Sequence, residues 1–194
     1  MNAPMNADDI RRIVADSVAL KGRFFAEKAP LLLEVGGKMA ESLRAGGRVL
    51  AFGNGGSAAD AQHFVAELVG RFQHERPALS AIALTTDPSV VTAVGNDMGF
   101  AAVFRRQVEA HGRPGDVALG ISTSGRSPNV IEGLRAARER GLLTVGLTGN
   151  GGGELPGLVH HLVDVPHPDT QRIQEVHAMV LHLLCQVVEE AACR

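Results

Sequence analysis

From Arg48 to Val165 the chain repeats one pattern: a short run of branched or small apolar residues, a stretch long enough for a helix, then another run. The runs are VLAF at 49–52, AIAL at 81–84, VALGIS at 117–122, LLTVGLT at 142–148 and HLVDV at 161–165. Apolar runs without polar alternation suit strands buried on both faces, and strands separated by helix-length segments are joined as parallel neighbours by right-handed crossovers. The pattern predicts an α/β fold, a three-layer αβα sandwich doubly wound around a five-stranded parallel sheet. Two helical segments precede it. Asn6 to about Ala29 places Ile10, Ile13, Val14, Val18 and Phe25 on one stripe, with Asn6 as N-cap and Asp8 and Asp9 in the first turn. A second helix is predicted from Pro30 through Leu32, Val35, Met39 and Leu43, stopping at Gly46-Gly47. Residues 1–47 thus read as a helical arm for oligomerisation and 48–194 as the sheet domain, within one structural unit.

The last segment, Thr170 to Cys193, is apolar almost all round, with Ile173, Val176, Met179, Val180, Leu181, Leu183, Leu184, Val187 and Val188. Such a helix needs burial on more than one side, so it and the arm are predicted to pack against other subunits. Cys185 and Cys193 share that helix, which suits reduced thiols better than a disulfide.

Charge and hydropathy exclude several partners. The 19 Lys and Arg nearly balance 21 Asp and Glu, for a net charge of -2, which argues against nucleic acid as the main ligand. The longest unbroken apolar run, Phe100 to Phe104, is far short of the roughly 20 residues of a membrane span. The start MNAPMNADDIRR has acids ahead of its arginines and no apolar run, so the expected address is cytoplasmic.

The 23 glycines stand well above the usual share of about 7%, and several fall where an open parallel sheet binds ligands, beyond the carboxyl ends of its strands. After the first strand comes Gly53-Asn54-Gly55-Gly56-Ser57, then a helix whose first turn offers free N–H groups and a positive dipole end. After the third comes Ser122-Thr123-Ser124-Gly125-Arg126-Ser127, with Pro128 opening the next helix. The first loop formally matches the dinucleotide pattern G-x-G-x-x-A, but the acidic ribose partner about 20 residues on is missing, and no nucleotide cofactor is expected. Neither loop ends in the Gly-Lys-Ser/Thr of a P-loop. Tight turns alone would account for one loop; a sugar phosphate accounts for both. GNGG recurs at 149–152, where a flexible strand-to-helix turn is the simpler reading.

The helix after the first loop sets His63 and Glu67 on one face at i and i+4, with Asp60 a turn earlier. Gln174 and His182, eight residues apart on the last helix, are about 12 Å apart along its axis, which makes chelation by that helix alone doubtful. All four of His63, Glu67, Gln174 and His182 are possible metal ligands, shared between chains if need be. His177 reads as a core histidine.

GNGGSAADAQHF, ALTTD at 83–87, GND at 95–97, STSG at 122–125 and RIQEVH at 172–177 together resemble the phosphoheptose isomerases of the sugar isomerase (SIS) superfamily over nearly the whole chain. That resemblance implies interconversion of sedoheptulose 7-phosphate and D-glycero-D-manno-heptose 7-phosphate, the first step toward heptose units of bacterial surface polysaccharide, by a cytoplasmic homotetramer with zinc at inter-subunit sites. It implies Glu67 and His182 as catalytic acid and base. Zinc ligands fall on His63, Glu67, Gln174 and His182. Substrate contacts fall on Asn54, Gly55, Gly56, Ser57, Glu67, Asn96, Asp97, Ser122, Thr123, Ser124, Ser127 and Gln174. Arg126, Met98 and His167 depart from the family pattern. A related non-catalytic SIS protein that binds the bacterial replication initiator resembles an isomerase that lost its acid and base; here both are present.

Overall fold

The computed structural model describes residues 4–192. Its elements are α1 (Ala7–Arg44), β1 (Val49–Gly53), α2 (Gly56–Val69), β2 (Ala81–Ala83), α3 (Pro88–Met98), a 3-10 turn (Phe100–Ala102), α4 (Val103–His111), β3 (Val117–Ile121), α5 (Pro128–Glu139), β4 (Leu143–Gly149), β5 (His161–Val165) and α6 (Thr170–Ala192). The five strands form one parallel sheet in the order β2-β1-β3-β4-β5, so strand order reverses between β1 and β3. The predicted strands and the α/β sandwich are all present.

The pleat sorts the core into two layers. Along β1, Val49 and Ala51 join the core beneath α1, α2 and α6, while Leu50 and Phe52 join the core beneath α4 and α5. Both sheet faces are thereby covered, as fully apolar strands require.

The amino-terminal region differs from expectation. It is one helix, not two, and Pro30 lies inside it. Asn6 caps it as predicted, accepting from the Asp8 and Asp9 amides, with Asp9 returning a bond to the Asn6 N–H. Helix continuity follows from burial: Leu20, Phe24, Leu32, Val35 and Met39 keep one phase across Pro30, and the exposed proline costs less than breaking that contact with α6 and the sheet. The stripe Ile10, Val14 and Val18 faces outward, with Val14 55% and Val18 64% exposed.

On α6, Ile173, Val176, Val180, Leu184 and Val188 are buried against α1, α2 and β4 of the same chain, while Met179 on the same helix stays 42% exposed. Cys185 is buried on it, and Cys193 lies outside the described residues. No described helix is long and apolar enough to cross a membrane.

Candidate active site

Because Gly53 pairs with Ile121 at the ends of β1 and β3, the two loops that follow these strands open side by side at the point where strand order reverses. A cleft of about 160 Å³ lies there, walled by Gly53, Asn54 and Gly55 on one side and by Thr85, Phe100 and Phe104 on the other. A second hollow of about 120 Å³ is lined by Thr123, Ser124, Arg126, Asn150 and Thr170. Hydroxyls and one guanidinium meet there beside the amino ends of α5 and α6, a donor set suited to an anion.

The loops are braced by hydrogen bonds among their own polar groups and to Asn129, which the sequence did not single out. Asn54 and the buried Asn129 exchange amide hydrogen bonds of 2.9 and 2.8 Å, tying the first loop to the start of α5. Asn54 therefore holds the cleft wall with its side chain. Ser122 and Ser127 are hydroxyl partners at 3.0 Å, and Ser124 Oγ accepts from the Arg126 amide at 3.3 Å. Ser57 is buried in the first turn of α2, so its hydroxyl presents little surface to the cleft.

The second glycine loop is the brace behind the hydroxyls, and not a free turn. Asn150 through Gly153 all have positive φ, and a Cβ on Gly125 would meet the Gly152 carbonyl oxygen at 1.9 Å. The Glu154 amide completes the contact by donating to Gly125 O at 2.9 Å. Backbone lies directly on backbone here, which only glycine permits.

Two turns and more along α2 from the first glycine loop, His63 Nε2 lies 3.1 Å from Glu67 Oε1. His182 on α6 meets His63 edge to face, ring centroids 5.0 Å apart, and stacks on Phe72 at 5.8 Å. Glu67, His63 and His182 are thus gathered from two helices. Asp60, one turn earlier on α2, has its carboxyl held above the ordinary range by burial, against the opposing charge of His63. Gln174 lies elsewhere: its amide nitrogen would be 2.5 Å from a Cβ on Gly56, so it covers the first turn of α2.

Two imidazoles and a carboxylate are the donor types zinc prefers. Among the described residues, however, no three His, Cys, Asp or Glu side chains converge as a metal-holding group, and Gln174 sits over Gly56. One chain in this conformation does not close the four-ligand set.

Asn96 and Asp97 lie exposed at the end of α3, bonded to each other at 2.7 Å, and line neither hollow. α3 has no fully buried residue. His177 is a core group as expected: it is 0% exposed, with Nε2 3.0 Å from the Thr148 carbonyl. His167, one of the departures, reaches Asp16 of α1 at 3.2 Å and anchors the approach to α6.

Comparison with known proteins identifies the family. Residues 14–149 match the SIS domain family. The chain is 55% identical over 182 residues to a phosphoheptose isomerase of Desulfovibrio desulfuricans, covering 94% of this chain and 87% of that one. It is 51% identical over 186 residues to the phosphoheptose isomerase of Aquifex aeolicus, covering 96% and 97%. The solved phosphoheptose isomerase from Neisseria gonorrhoeae superposes with a TM-score of 0.89 at 44% identity, over 94% of this chain and 98% of that one. The one from Francisella tularensis gives 0.92 at 36%, over 96% and 100%. With motif order, sheet topology and identity in agreement along almost its whole length, the chain belongs to the phosphoheptose isomerases of the SIS domain family.

Proposed function

We propose that this chain interconverts D-sedoheptulose 7-phosphate and D-glycero-D-manno-heptose 7-phosphate through an enediol. The observation that carries the reading is the meeting of Glu67 and His63 on α2, the helix that follows the first glycine loop, with His182 on α6, in a chain that also builds a hydroxyl-lined hollow suited to an anion. Glu67 removes the proton from C1 of the ketose, and the C1–H electrons form the C1–C2 double bond as the C2 carbonyl oxygen gains a proton from His182. Return of the Glu67 proton to C2, as the C1 hydroxyl passes its proton to the now deprotonated His182 and C1 becomes the carbonyl, gives the aldose and restores both groups. Ser122, Thr123, Ser124 and Ser127 hold the phosphate with backbone N–H groups and Arg126, and Gln174 and the Asn54–Gly56 backbone steady the sugar; binding energy at that remote end positions the reacting carbons.

Zinc binding belongs to the same proposal: His63, Glu67 and His182 would supply donors, with Gln174 turning from Gly56 to join them, and the proton transfer above does not depend on it. Metal analysis of the purified protein and of His63→Ala decides this; equal zinc in both refutes these ligands. The outward stripe Ile10, Val14 and Val18 supports assembly into a homotetramer. Exposed His182, Asn96 and Asp97 fit sites completed by a neighbouring subunit. The net charge and absence of a spanning helix among the described residues accord with a cytoplasmic setting. Incubating the protein with sedoheptulose 7-phosphate and separating the sugar phosphates tests the activity: a new product of unchanged mass is expected, and unaltered substrate would refute it.

A further inference from the structure

Linking the end of α2 to α6 is an ion pair in which the side chains of Arg76 and Glu189 are each only 1% exposed. Its partners are specific. Glu189, two turns beyond His182 on α6, accepts the amides of Phe72, Gln73 and His74 at 2.8–3.0 Å and Arg76 Nε at 2.9 Å. Arg76 spends its remaining donors on the carboxyl end of α2, giving Nη2 to the Glu67 carbonyl at 2.7 Å and Nη1 to the Leu68 carbonyl at 2.9 Å. The guanidinium thereby caps the helix that carries Glu67. The loop held by Glu189 contains Phe72, the ring on which His182 stacks. Burial works to raise the Glu189 carboxyl, but the amides of Gln73, Phe72 and His74 and the Arg76 charge outweigh it and hold the group ionised, below the usual carboxylate range. Buried on α6 is Cys185, whose thiol is pushed up to about 12, first by burial and then by the charge of Glu67, against the opposing charge of Arg76 and with a smaller push from Glu189. An inert thiol there is packing and not a nucleophile.

We propose that the Arg76–Glu189 pair is a positioning device for the proton transfer: it locks the Glu67 turn of α2 and the Phe72 platform under His182 to one point on α6. Neither residue touches the cleft. Apolar replacement of a purely structural pair lowers stability here, because the amides held by Glu189 and the carbonyls capped by Arg76 lose their partners, but it leaves the rate of the molecules that remain folded unchanged; replacement of a pair that sets the geometry of two reacting groups lowers that rate. Misplacement by about 1 Å is enough to cost on the order of a hundredfold in rate.

The inference rests on Glu67 and His182 as the proton-transfer pair, so Glu67→Gln is run alongside: full turnover there would refute those roles and leave the pair without a function to serve. With Glu67→Gln inactive, the device is tested by Arg76→Lys, which keeps the charge and loses the fork, and by the apolar double variant Arg76→Met with Glu189→Leu, which removes the charges without leaving either one unpaired. Steady-state kinetics are measured well below each variant's melting temperature. The expected result is a kcat at least about tenfold lower with KM within about threefold of the parent. An unchanged kcat in the folded double variant would overturn the proposal. So would a loss of rate that merely tracks the unfolded fraction, since that is the behaviour of a structural pair.

Discussion

Glu67 and His63 stand one helical turn apart in 3.1 Å contact, and His182 of α6 meets the His63 ring edge to face. A positioned acid or base contributes about 10²–10⁴ in rate, so Glu67→Gln is expected to lower kcat by about 10³ while KM stays within a few fold. A KM effect without loss of kcat, read from initial rates, would instead make Glu67 a binding residue. In the serine-threonine loop, Gly125 has no room for a methyl group beside the Gly152 carbonyl. Gly125→Ala should therefore displace the hydroxyl loop and raise KM by about tenfold or more, with a smaller change in kcat. Unchanged KM would show that the two glycine loops do not brace one another. His63, Glu67 and the serine-threonine loop were legible because local spacing and residue chemistry carry them. Asn129 and the pair Arg76 and Glu189 were not: the latter are 113 residues apart, and nothing local in either segment announces the other.

At the scale of elements, the strands were readable because burial on both faces leaves uninterrupted apolar runs, and the sheet has all five where those runs fall. α1 was misread for a physical reason. Proline is as welcome in a first turn as it is unwelcome in a helix interior, and only the tertiary contact with α6 decides between the two. Pro30 is exposed, so Pro30→Ala restores a helical N–H without disturbing the core. The expected gain is on the order of 1–3 kcal/mol, seen as a higher denaturation midpoint in urea. A lower midpoint would mean that a bend at Pro30 is needed to seat α1. The second GNGG was misread because a glycine run looks the same whether it is loose or pressed against another backbone; the difference lies in Gly125, which the run does not contain.

Across the whole molecule, two buried ionisable groups, His177 and Glu189, contribute to the response to acid. His177 is pushed down to about 4 by burial, against the opposing hydrogen bond to the Thr148 carbonyl, while the unfolded imidazole titrates near 6.5. Between those values the unfolded chain binds the extra proton, so stability falls as the pH drops from 6.5 toward 4, by an amount on the order of 3 kcal/mol. Glu189 acts lower down: its depressed carboxyl contributes stability that is present above the ordinary carboxylate value and lost as pH falls through the folded one. Urea midpoints measured along this range should decline steadily, and a flat profile would contradict the burial of His177. Outward-facing Val14 and Val18 predict a second whole-molecule property. Replacing both with Asp should split the proposed homotetramer into smaller species by light scattering, and an unchanged mass would contradict an interface through this stripe. The near-neutral charge also gains a sharper meaning at this scale: hydroxyls, backbone N–H groups and a single arginine at the 120 Å³ hollow can hold one phosphate without making the protein basic.

Sedoheptulose 7-phosphate incubated with the parent protein and with Glu67→Gln, followed by chromatography and mass measurement of the sugar phosphates, tests the central claim most directly. The parent should yield an aldose phosphate of identical mass and the variant essentially none; no product from the parent, or equal product from both, would contradict it.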